Sequence, residues 1–299
     1  MAFRRKIIVI LGPTASGKSD LSIKIAQKIR GEIISADSRQ VYKGLDIGTG
    51  KITEKEMQDI KHHCLNVISP KKIYTALDFK KCAEKAIENI LSRGKMPIVC
   101  GGAGFYIDAL LGKIQIVGVP PNWRLRKKLE KKSVEELFKI LKKLNPEHAK
   151  IIDKHNPRRL IRAIEIAETL GKVPSLRVTR NAYRGILFIG IKLLEKELRK
   201  RIGKRVRKMI KDGLINELKK LRKNRLSWKR LYELGFEYKY PALFLQGKIS
   251  KSEMLERMIL ENWHYAKRQM TWFKRDKKII WLNSSNPDKV NLLVKKFLK

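Results

Sequence analysis

The chain of 299 residues carries 69 lysines and arginines against 29 aspartates and glutamates, which gives a formal net charge of +40. Its hydrophobic fraction of 43% allows a buried core, and this excludes a disordered tail, a collagen-like fibre and a disulfide-held miniprotein. The longest apolar runs, Ile7–Leu11 and Ile186–Ile191, are far shorter than the roughly 20 residues of a membrane-spanning helix, so no membrane partner is expected.

The large positive charge predicts a polyanionic partner. Like charges repel one another in a folded chain, whereas binding to phosphates neutralises them and releases counterions. Nucleic acid is therefore the favoured partner. The charge does not distinguish RNA from DNA, and many of the lysines could instead lie on solvated helix faces.

The cysteines indicate the cellular compartment. Cys64, Cys82 and Cys100 are odd in number and show no C-x-x-C spacing. This usage fits the reducing cytoplasm, where we expect the protein, and it predicts no zinc site.

A phosphate-binding loop follows the first predicted strand, Ile7–Leu11. The sequence fits the pattern G-x-x-x-x-G-K-[ST] and precedes a helix predicted over Asp20–Ile29. In such a loop the backbone N–H groups point at a phosphate, the lysine adds a positive charge and the serine hydroxyl can ligate Mg²⁺. The predicted phosphate site comprises Gly12, Pro13, Thr14, Ala15, Ser16, Gly17, Lys18 and Ser19. Nucleotide kinases, ATPases and diphosphate-using transferases all need this loop, so it does not choose among them.

An aspartate follows the second predicted strand, Glu32–Ser35. Ligands of open parallel sheets bind beyond the carboxyl ends of the strands, so Asp37 is expected in the same crevice as the phosphate loop. There it could accept a proton from a nucleophile or lie near the metal; alternatively, it caps the next segment.

The third predicted strand, Pro97–Cys100, ends in a glycine turn that begins at Gly101 and Gly102. A glycine turn permits close approach of the backbone to a ligand but offers no carboxylate. A conventional ATPase would show an aspartate at the end of a later strand, so this turn disfavours ATP hydrolysis.

The chain then changes character and shows no strand pattern from about residue 113 to 183. Further strands are predicted over Ile186–Ile191 and Ile279–Leu282. Apolar spacing predicts helices over Asp78–Ser92, Trp123–Lys132, Val134–Leu144, Pro157–Leu170, Lys196–Lys211, Ile215–Lys223, Ser252–Lys274 and Val290–Lys299.

These elements predict an α/β protein with a P-loop NTPase-like parallel sheet core and a helical insertion domain. Residues 1–112 and 184–299 would form the core with its C-terminal helices. Residues 113–183 would form the insertion.

A series of motifs, spread over nearly the whole chain, resembles the tRNA dimethylallyltransferase (tRNA isopentenyltransferase) family. The segments that carry the resemblance are Gly12–Ser19, Ile34–Ser38, Val41–Thr49, His62–His63, Gly94–Pro97 with Gly101–Gly102, Asn156–Leu160 with Arg162–Glu165, and Tyr265–Gln269 with Thr271–Phe273. A phosphate loop alone is generic, whereas this ordered series is specific.

The resemblance implies a reaction. The exocyclic N6 of the adenosine 3′-adjacent to the anticodon would attack dimethylallyl diphosphate and expel diphosphate. Asp37 matches the family's general base, and Arg205 matches the arginine that reaches the diphosphate from the far side. Lys18, Thr14 and a Mg²⁺ cofactor ligated by Ser19 would offset the charge of the leaving group.

The resemblance also implies contacts with the anticodon stem-loop of tRNA. At helical spacing Arg158 and Arg162 share one face, where they could hold two backbone phosphates. The residues that match tRNA-contacting positions, with Arg126 as a further candidate, are Asp37, Ser38, Arg39, Gln40, Ala103, Arg126, Arg158, Arg159, Leu160, Ile161 and Arg162.

Three positions depart from the family pattern. Ala103 stands where a threonine is usual, Glu237 where a cation is usual, and Gly50 where an alanine is commoner. A carboxylate at position 237 is expected to repel the RNA backbone, if it faces RNA.

Three alternatives stay open beside a tRNA prenyltransferase acting as a monomer. The first is a P-loop kinase or nucleotidase, which would have no use for so many cations. The second is a prenyltransferase of free adenine nucleotides, which would leave the helical insertion unexplained. The third is a non-enzymatic RNA-binding protein that retains an inactive phosphate loop, against which Lys18, Asp37 and Arg205 argue.

Overall fold

The computed structural model describes residues 6–174, 183, 185–283 and 287–299. The chain divides into two compact units, Met1–Leu111 with Asn181–Lys299, and Gly112–Arg180. The division falls near the predicted borders of the helical insertion.

The first unit is built on a six-stranded sheet in the order β3-β2-β4-β1-β5-β6. Its strands are β1 (Lys6–Leu11), β2 (Gly31–Ala36), β3 (His62–His63), β4 (Met96–Gly101), β5 (Gly185–Lys192) and β6 (Ile280–Asn283). Every pairing is parallel, with Ile8 opposite Ile98 and Ile7 opposite Ile186. The predicted parallel α/β class is therefore confirmed. The sequence did not predict β3, because two residues are too few to show an alternating pattern.

Helices account for most of the remaining chain. They are α1 (Lys18–Ile29), α2 (Glu54–Met57), α3 (Ala76–Ser92), α4 (Gly104–Leu110), α5 (Trp123–Leu129), α6 (Val134–Leu144), α7 (Pro146–Ile151), α8 (Pro157–Leu170), α9 (Glu195–Lys211), α10 (Leu214–Lys223), α11 (Trp228–Glu233), α12 (Phe236–Leu245), α13 (Lys251–Phe273) and α14 (Pro287–Leu298). In the part of the chain that the structure describes, none of them combines the length and the apolar character that crossing a membrane requires.

Both faces of the sheet are covered by helices. Ile7 and Val9 on β1 belong to a core with Phe79 of α3, whereas Ile8 and Ile10 belong to a core with α1 and α14. Because successive side chains of a strand point to opposite faces, a continuous apolar run is what a strand buried on both sides requires.

A third core of the first unit joins helices α9 to α13 with the segment that precedes the loop at residues 46–50. The buried Glu217 carboxylate accepts hydrogen bonds from the backbone N–H groups of Asp46, Ile47 and Gly48 at 2.7–3.1 Å. Tyr238 donates a fourth bond to it at 2.8 Å. This carboxylate fixes the path of the loop.

The second unit contains α5 to α8 around its own apolar core. Leu137, Leu141 and Ile164 lie at its centre and are at most 1% exposed. Side chains at the helix starts satisfy free N–H groups: Ser133 and Glu136 form a capping box on α6, and Asn156 caps α8.

Candidate active site

The phosphate loop leaves β1 at Leu11 and enters α1 at Lys18. Gly12 has a φ of +155°, and a Cβ there would lie 2.7 Å from the Ile191 carbonyl oxygen, so a larger residue does not fit. Gly17, at φ +90°, offers no side chain to cap the first N–H groups of α1. Uncapped N–H groups at the start of a helix attract anions. The predicted phosphate loop therefore has the backbone of an anion site.

Lys18 lies among the charged groups of this site. Its Nζ donates to the Pro13 carbonyl oxygen at 3.2 Å. Desolvation lowers the pKa of Lys18, and the positive charge of Arg205 lowers it further, whereas the negative charge of Asp37 raises it. Lys18 therefore experiences the charges of both predicted catalytic groups, Arg205 and Asp37.

Arg205 reaches the phosphate loop from α9. One guanidinium nitrogen donates to Thr14 Oγ1 at 3.1 Å, and the other donates to the Thr49 carbonyl oxygen at 3.0 Å. A Cβ at Gly50 would lie 2.3 Å from Nη2 of Arg205, and Gly50 has a φ of +55°. Glycine at this departure from the family pattern thus makes room for the guanidinium.

Gln269 on α13 holds the loop from another side. Its Oε1 accepts a hydrogen bond from the Thr14 N–H at 2.8 Å, and its Nε2 donates to the Gly102 carbonyl oxygen at 2.9 Å. The sequence alone indicates no role for this residue, although it ends the motif segment Tyr265–Gln269.

The glycine turn after β4 packs between the phosphate loop and the end of β2. A Cβ at Gly101 would lie 2.1 Å from the Ala36 carbonyl oxygen. The same oxygen accepts a hydrogen bond from the Ala103 N–H at 3.2 Å. Ala103 is half-buried and has only a methyl group to offer, so its contact with tRNA stays a prediction.

Asp37 follows β2 at the same edge of the sheet as the loop. Its Oδ1 accepts hydrogen bonds from the backbone N–H groups of Arg39 at 2.8 Å and Gln40 at 3.3 Å. Its Oδ2 takes no hydrogen bond from the residues that the structure describes. The capping role and the catalytic role left open by the sequence are thus compatible, because one oxygen fixes the turn and the other remains for a substrate.

The residues after Asp37 are partly committed within the protein. Ser35 Oγ donates to Gln40 Oε1 at 3.0 Å, and Gln40 Nε2 donates to the Gly50 carbonyl oxygen at 3.3 Å. Arg39 donates to the Glu233 carbonyl oxygen at 3.4 Å. Ser38 is half-buried in the same turn. The tRNA contacts of Ser38, Arg39 and Gln40 remain predictions.

Glu237 lies within this charged cluster and does not stand on an exposed surface. Burial raises its pKa to about 7, against the opposing effects of Arg205 and Arg39 and with a contribution from Asp37. Burial and the negative charges of Asp37 and Glu237 also raise the pKa of Tyr265. The carboxylate thus interacts with the arginines of the site, which was not expected from the family pattern.

The second unit separates the predicted tRNA-contacting residues into two groups. Arg158 and Arg159 are exposed at the start of α8. Arg126 and Arg162 instead bind the buried Glu165 carboxylate, with Arg126 Nη2 at 2.8 Å from Oε2. Arg162 also donates to the Val119 carbonyl oxygen at 2.8 Å. The guanidinium expected to pair with Arg158 on phosphates therefore has protein partners.

Leu160 and Ile161 belong to the core of this unit, at 0% and 9% exposure. Their side chains support α8 from within the unit and present little surface to RNA.

The donors for Mg²⁺ are few. Ser19 is exposed in the first turn of α1. Among the described residues no group of three or more His, Cys, Asp or Glu side chains could hold a metal ion. Magnesium keeps several waters and binds readily through one protein oxygen together with phosphate oxygens, so the donor set fits a Mg²⁺ brought with a diphosphate.

The IPP transferase family model matches residues 40–276. The chain belongs to the IPP transferase family. It is 45% identical over 276 residues to tRNA dimethylallyltransferase 2 of Treponema denticola, covering 91% of this chain and 92% of that protein. It is 39% identical over 297 residues to the tRNA dimethylallyltransferase of Acetivibrio thermocellus, covering 97% and 95%.

Solved structures of IPP transferases share the fold. The tRNA delta(2)-isopentenylpyrophosphate transferase of Staphylococcus epidermidis matches with a TM-score of 0.72 at 36% identity, over 98% of this chain and 99% of that one. A eukaryotic dimethylallyltransferase acting on tRNA matches with a TM-score of 0.80 at 28% identity, over 98% and 77%. The family resemblance and the P-loop NTPase-like fold are both confirmed.

Proposed function

We propose that this chain transfers the dimethylallyl group of dimethylallyl diphosphate to N6 of the adenosine 3′-adjacent to the anticodon in tRNA and releases diphosphate. The names of its relatives support a tRNA dimethylallyltransferase. The observation that carries the proposal is the arrangement at one edge of the sheet, where Arg205 binds Thr14 of the phosphate loop and Asp37 keeps one oxygen for a substrate.

The phosphate loop would bind the diphosphate of the substrate and then of the leaving group. Negative charge grows on that oxygen as its bond to the first prenyl carbon breaks, and fixed positive groups lower the energy of this state. The loop N–H groups, Lys18 and Arg205 supply them. The planar fork of Arg205, already held by Thr14 and Thr49, suits the oxygens of a phosphate.

Asp37 would act on the nucleophile. As the bond from N6 to the prenyl carbon forms, the amine becomes acidic, and Oδ2 of Asp37 accepts its proton. The two backbone N–H groups on Oδ1 hold the carboxylate in place for this transfer.

Mg²⁺ is the cofactor that we propose. Ser19 would hold it together with oxygens of the diphosphate, and when bound it would neutralise part of the charge on the leaving group.

Exposed arginines would bind the RNA. Arg158 and Arg159 in the second unit offer guanidinium groups for backbone phosphates of the anticodon stem-loop. The target adenosine must leave its base stack to reach a catalytic carboxylate. We propose that the protein works as a monomer in the cytoplasm, where tRNA is available.

A labelled-substrate assay tests the function. Radiolabelled dimethylallyl diphosphate is offered to bulk tRNA, to AMP and to no acceptor, with ATP hydrolysis measured alongside. Label is expected in tRNA alone, and Asp37→Asn should reduce it at least about 100-fold, whereas Asp288→Asn, an exposed aspartate on α14, should not. Label in AMP would favour the nucleotide prenyltransferase. ATP turnover without label in tRNA would contradict the proposal.

A further inference from the structure

We propose that Gln269 is a positioning residue for the transfer reaction, which fixes Thr14 so that the Thr14 hydroxyl and Arg205 stay aligned on the diphosphate. This inference rests on the proposed function and names a residue of the same site.

The carboxamide of Gln269 bridges two loops at the edge of the sheet. It joins the Thr14 N–H, beyond β1, to the Gly102 carbonyl, beyond the neighbouring strand β4, at 2.8 and 2.9 Å. Gln269 is 6% exposed and Thr14 is 7% exposed. A Cβ at Gly102 would lie 2.1 Å from Gln269 Nε2. The contact is therefore buried and close.

Only one orientation of the carboxamide satisfies both neighbours. The oxygen faces a donor and the nitrogen faces an acceptor, and exchanging them would leave both bonds unmade. A buried polar group without a partner is costly, so these bonds fix the loop strongly. Glutamine meets the demand for one acceptor and one donor, whereas glutamate or leucine does not.

The bridge acts on catalysis through Thr14. The Thr14 N–H is bound to Gln269, so the hydroxyl is the group of Thr14 that can act on a ligand. This hydroxyl accepts a hydrogen bond from Arg205 at 3.1 Å. A hydrogen-bonded series thus runs from Gly102 through Gln269 and Thr14 to Arg205. Small misplacements of groups that stabilise a transition state reduce the rate strongly.

The test compares Gln269→Leu and Gln269→Glu with wild type over a range of tRNA concentrations at saturating dimethylallyl diphosphate. We expect both to lower kcat about tenfold or more while KM for tRNA changes less than about twofold. Gln246→Leu is the matched control, because Gln246 also makes two hydrogen bonds with its carboxamide, donating to the Tyr232 hydroxyl and to the Ala242 carbonyl. Thermal unfolding of each variant ensures that only folded protein is compared.

A double-mutant cycle separates positioning from a structural role. In a Thr14→Ala background the hydroxyl is already lost, so Gln269→Leu should lower kcat much less than it does in wild type. An equal loss in both backgrounds would overturn the inference, as would unchanged kcat in both single variants.

Binding of Mg²⁺–diphosphate distinguishes this inference from the proposed function. Calorimetry should show weaker binding to Gln269→Leu than to wild type. If wild type transfers no label but this difference appears, the function fails and the positioning role stands. If wild type transfers label and both Gln269 variants match it in kcat and in diphosphate binding, the positioning role fails.

Discussion

Glu237 changes its charge state near neutral pH among the side chains around Asp37. Its pKa in the folded protein is about 7, whereas that of an unperturbed glutamate is about 4.3. Between these two pKa values the carboxyl group keeps its proton in the folded state and has lost it in the unfolded state. This contribution to stability is complete below the unfolded pKa and is lost as the pH rises through about 7.

Replacing Glu237 with glutamine removes this titration. Between about pH 5 and about pH 8, wild type should lose roughly 1–3 kcal/mol of unfolding free energy relative to Glu237→Gln. Urea unfolding at three pH values measures the difference. Glu233→Gln, an exposed neighbour, is the control and should parallel wild type. Parallel curves for Glu237→Gln would show that the carboxyl group titrates normally.

Cys82 and Cys64 form a thiol pair with 3.0 Å between their sulfur atoms. The hydrogen bond from Cys64 is the main cause that lowers the pKa of Cys82 to about 6, and Tyr74 and Lys85 also contribute. The same contact and burial raise the pKa of Cys64. At neutral pH Cys82 is therefore a thiolate, whereas Cys64 keeps its proton.

Alkylation kinetics should therefore differ among the three cysteines. The thiolate is the reactive form, so iodoacetamide should modify Cys82 first, with a rate that is half-maximal near pH 6. Burial raises the pKa of Cys100, which should react slowly. Peptide mass mapping over time measures the order. Equal rates at Cys82 and Cys64 would mean that the pair does not share its proton in this way.

At the scale of elements, α8 presents arginines in two directions. Arg158 and Arg159 face outward, whereas Arg162 turns to Glu165 and Val119. The helix therefore combines an exposed basic end with an internal ion pair. The two kinds of arginine are expected to respond differently to mutation.

Charge reversal at the exposed end tests the RNA contact. Arg158→Glu with Arg159→Glu should raise KM for tRNA about tenfold or more, because phosphate contacts are lost and repulsion is added. KM for dimethylallyl diphosphate should change less than about twofold. Lys296→Glu, an exposed cation on α14, serves as the control. Equal increases in both constants would place the two arginines at the chemistry.

The sequence predicts the elements with a long periodic pattern and misses several of the short or interrupted ones. α4 and α11 are seven and six residues long, which is too short to repeat an apolar spacing. α12 contains Pro241 within its span, a residue that normally ends a helix. Tertiary packing, not local preference, sustains these helices.

The residues of the candidate active site also divide into those that the sequence predicts and those that it does not. Gly12–Ser19 and Asp37 could be found because their neighbours in sequence define a loop and a strand end. Gln269 meets Thr14 across 255 residues, and Arg126 meets Glu165 across 39 residues. Such contacts depend on the three-dimensional packing. A sequence pattern can therefore single out the residue, but it does not show which distant residue it contacts.

At the scale of the whole molecule, the charge of +40 predicts salt-sensitive binding of tRNA. Each phosphate neutralised by a cation releases counterions, so the affinity should fall by about 10³ or more between about 50 and 200 mM salt if several phosphates are bound. Filter binding over a salt series measures the slope. A flat response would contradict electrostatic binding and favour lysines that serve only solubility.

Inhibition by inorganic diphosphate tests most directly whether the phosphate loop and Arg205 hold the leaving group. Diphosphate should compete with dimethylallyl diphosphate, and Arg205→Lys, which keeps the charge but loses the planar fork, should raise its inhibition constant about tenfold. Arg199→Lys, an arginine on the exposed face of α9, should leave it unchanged. Non-competitive inhibition, or equal constants in wild type and Arg205→Lys, would contradict this account.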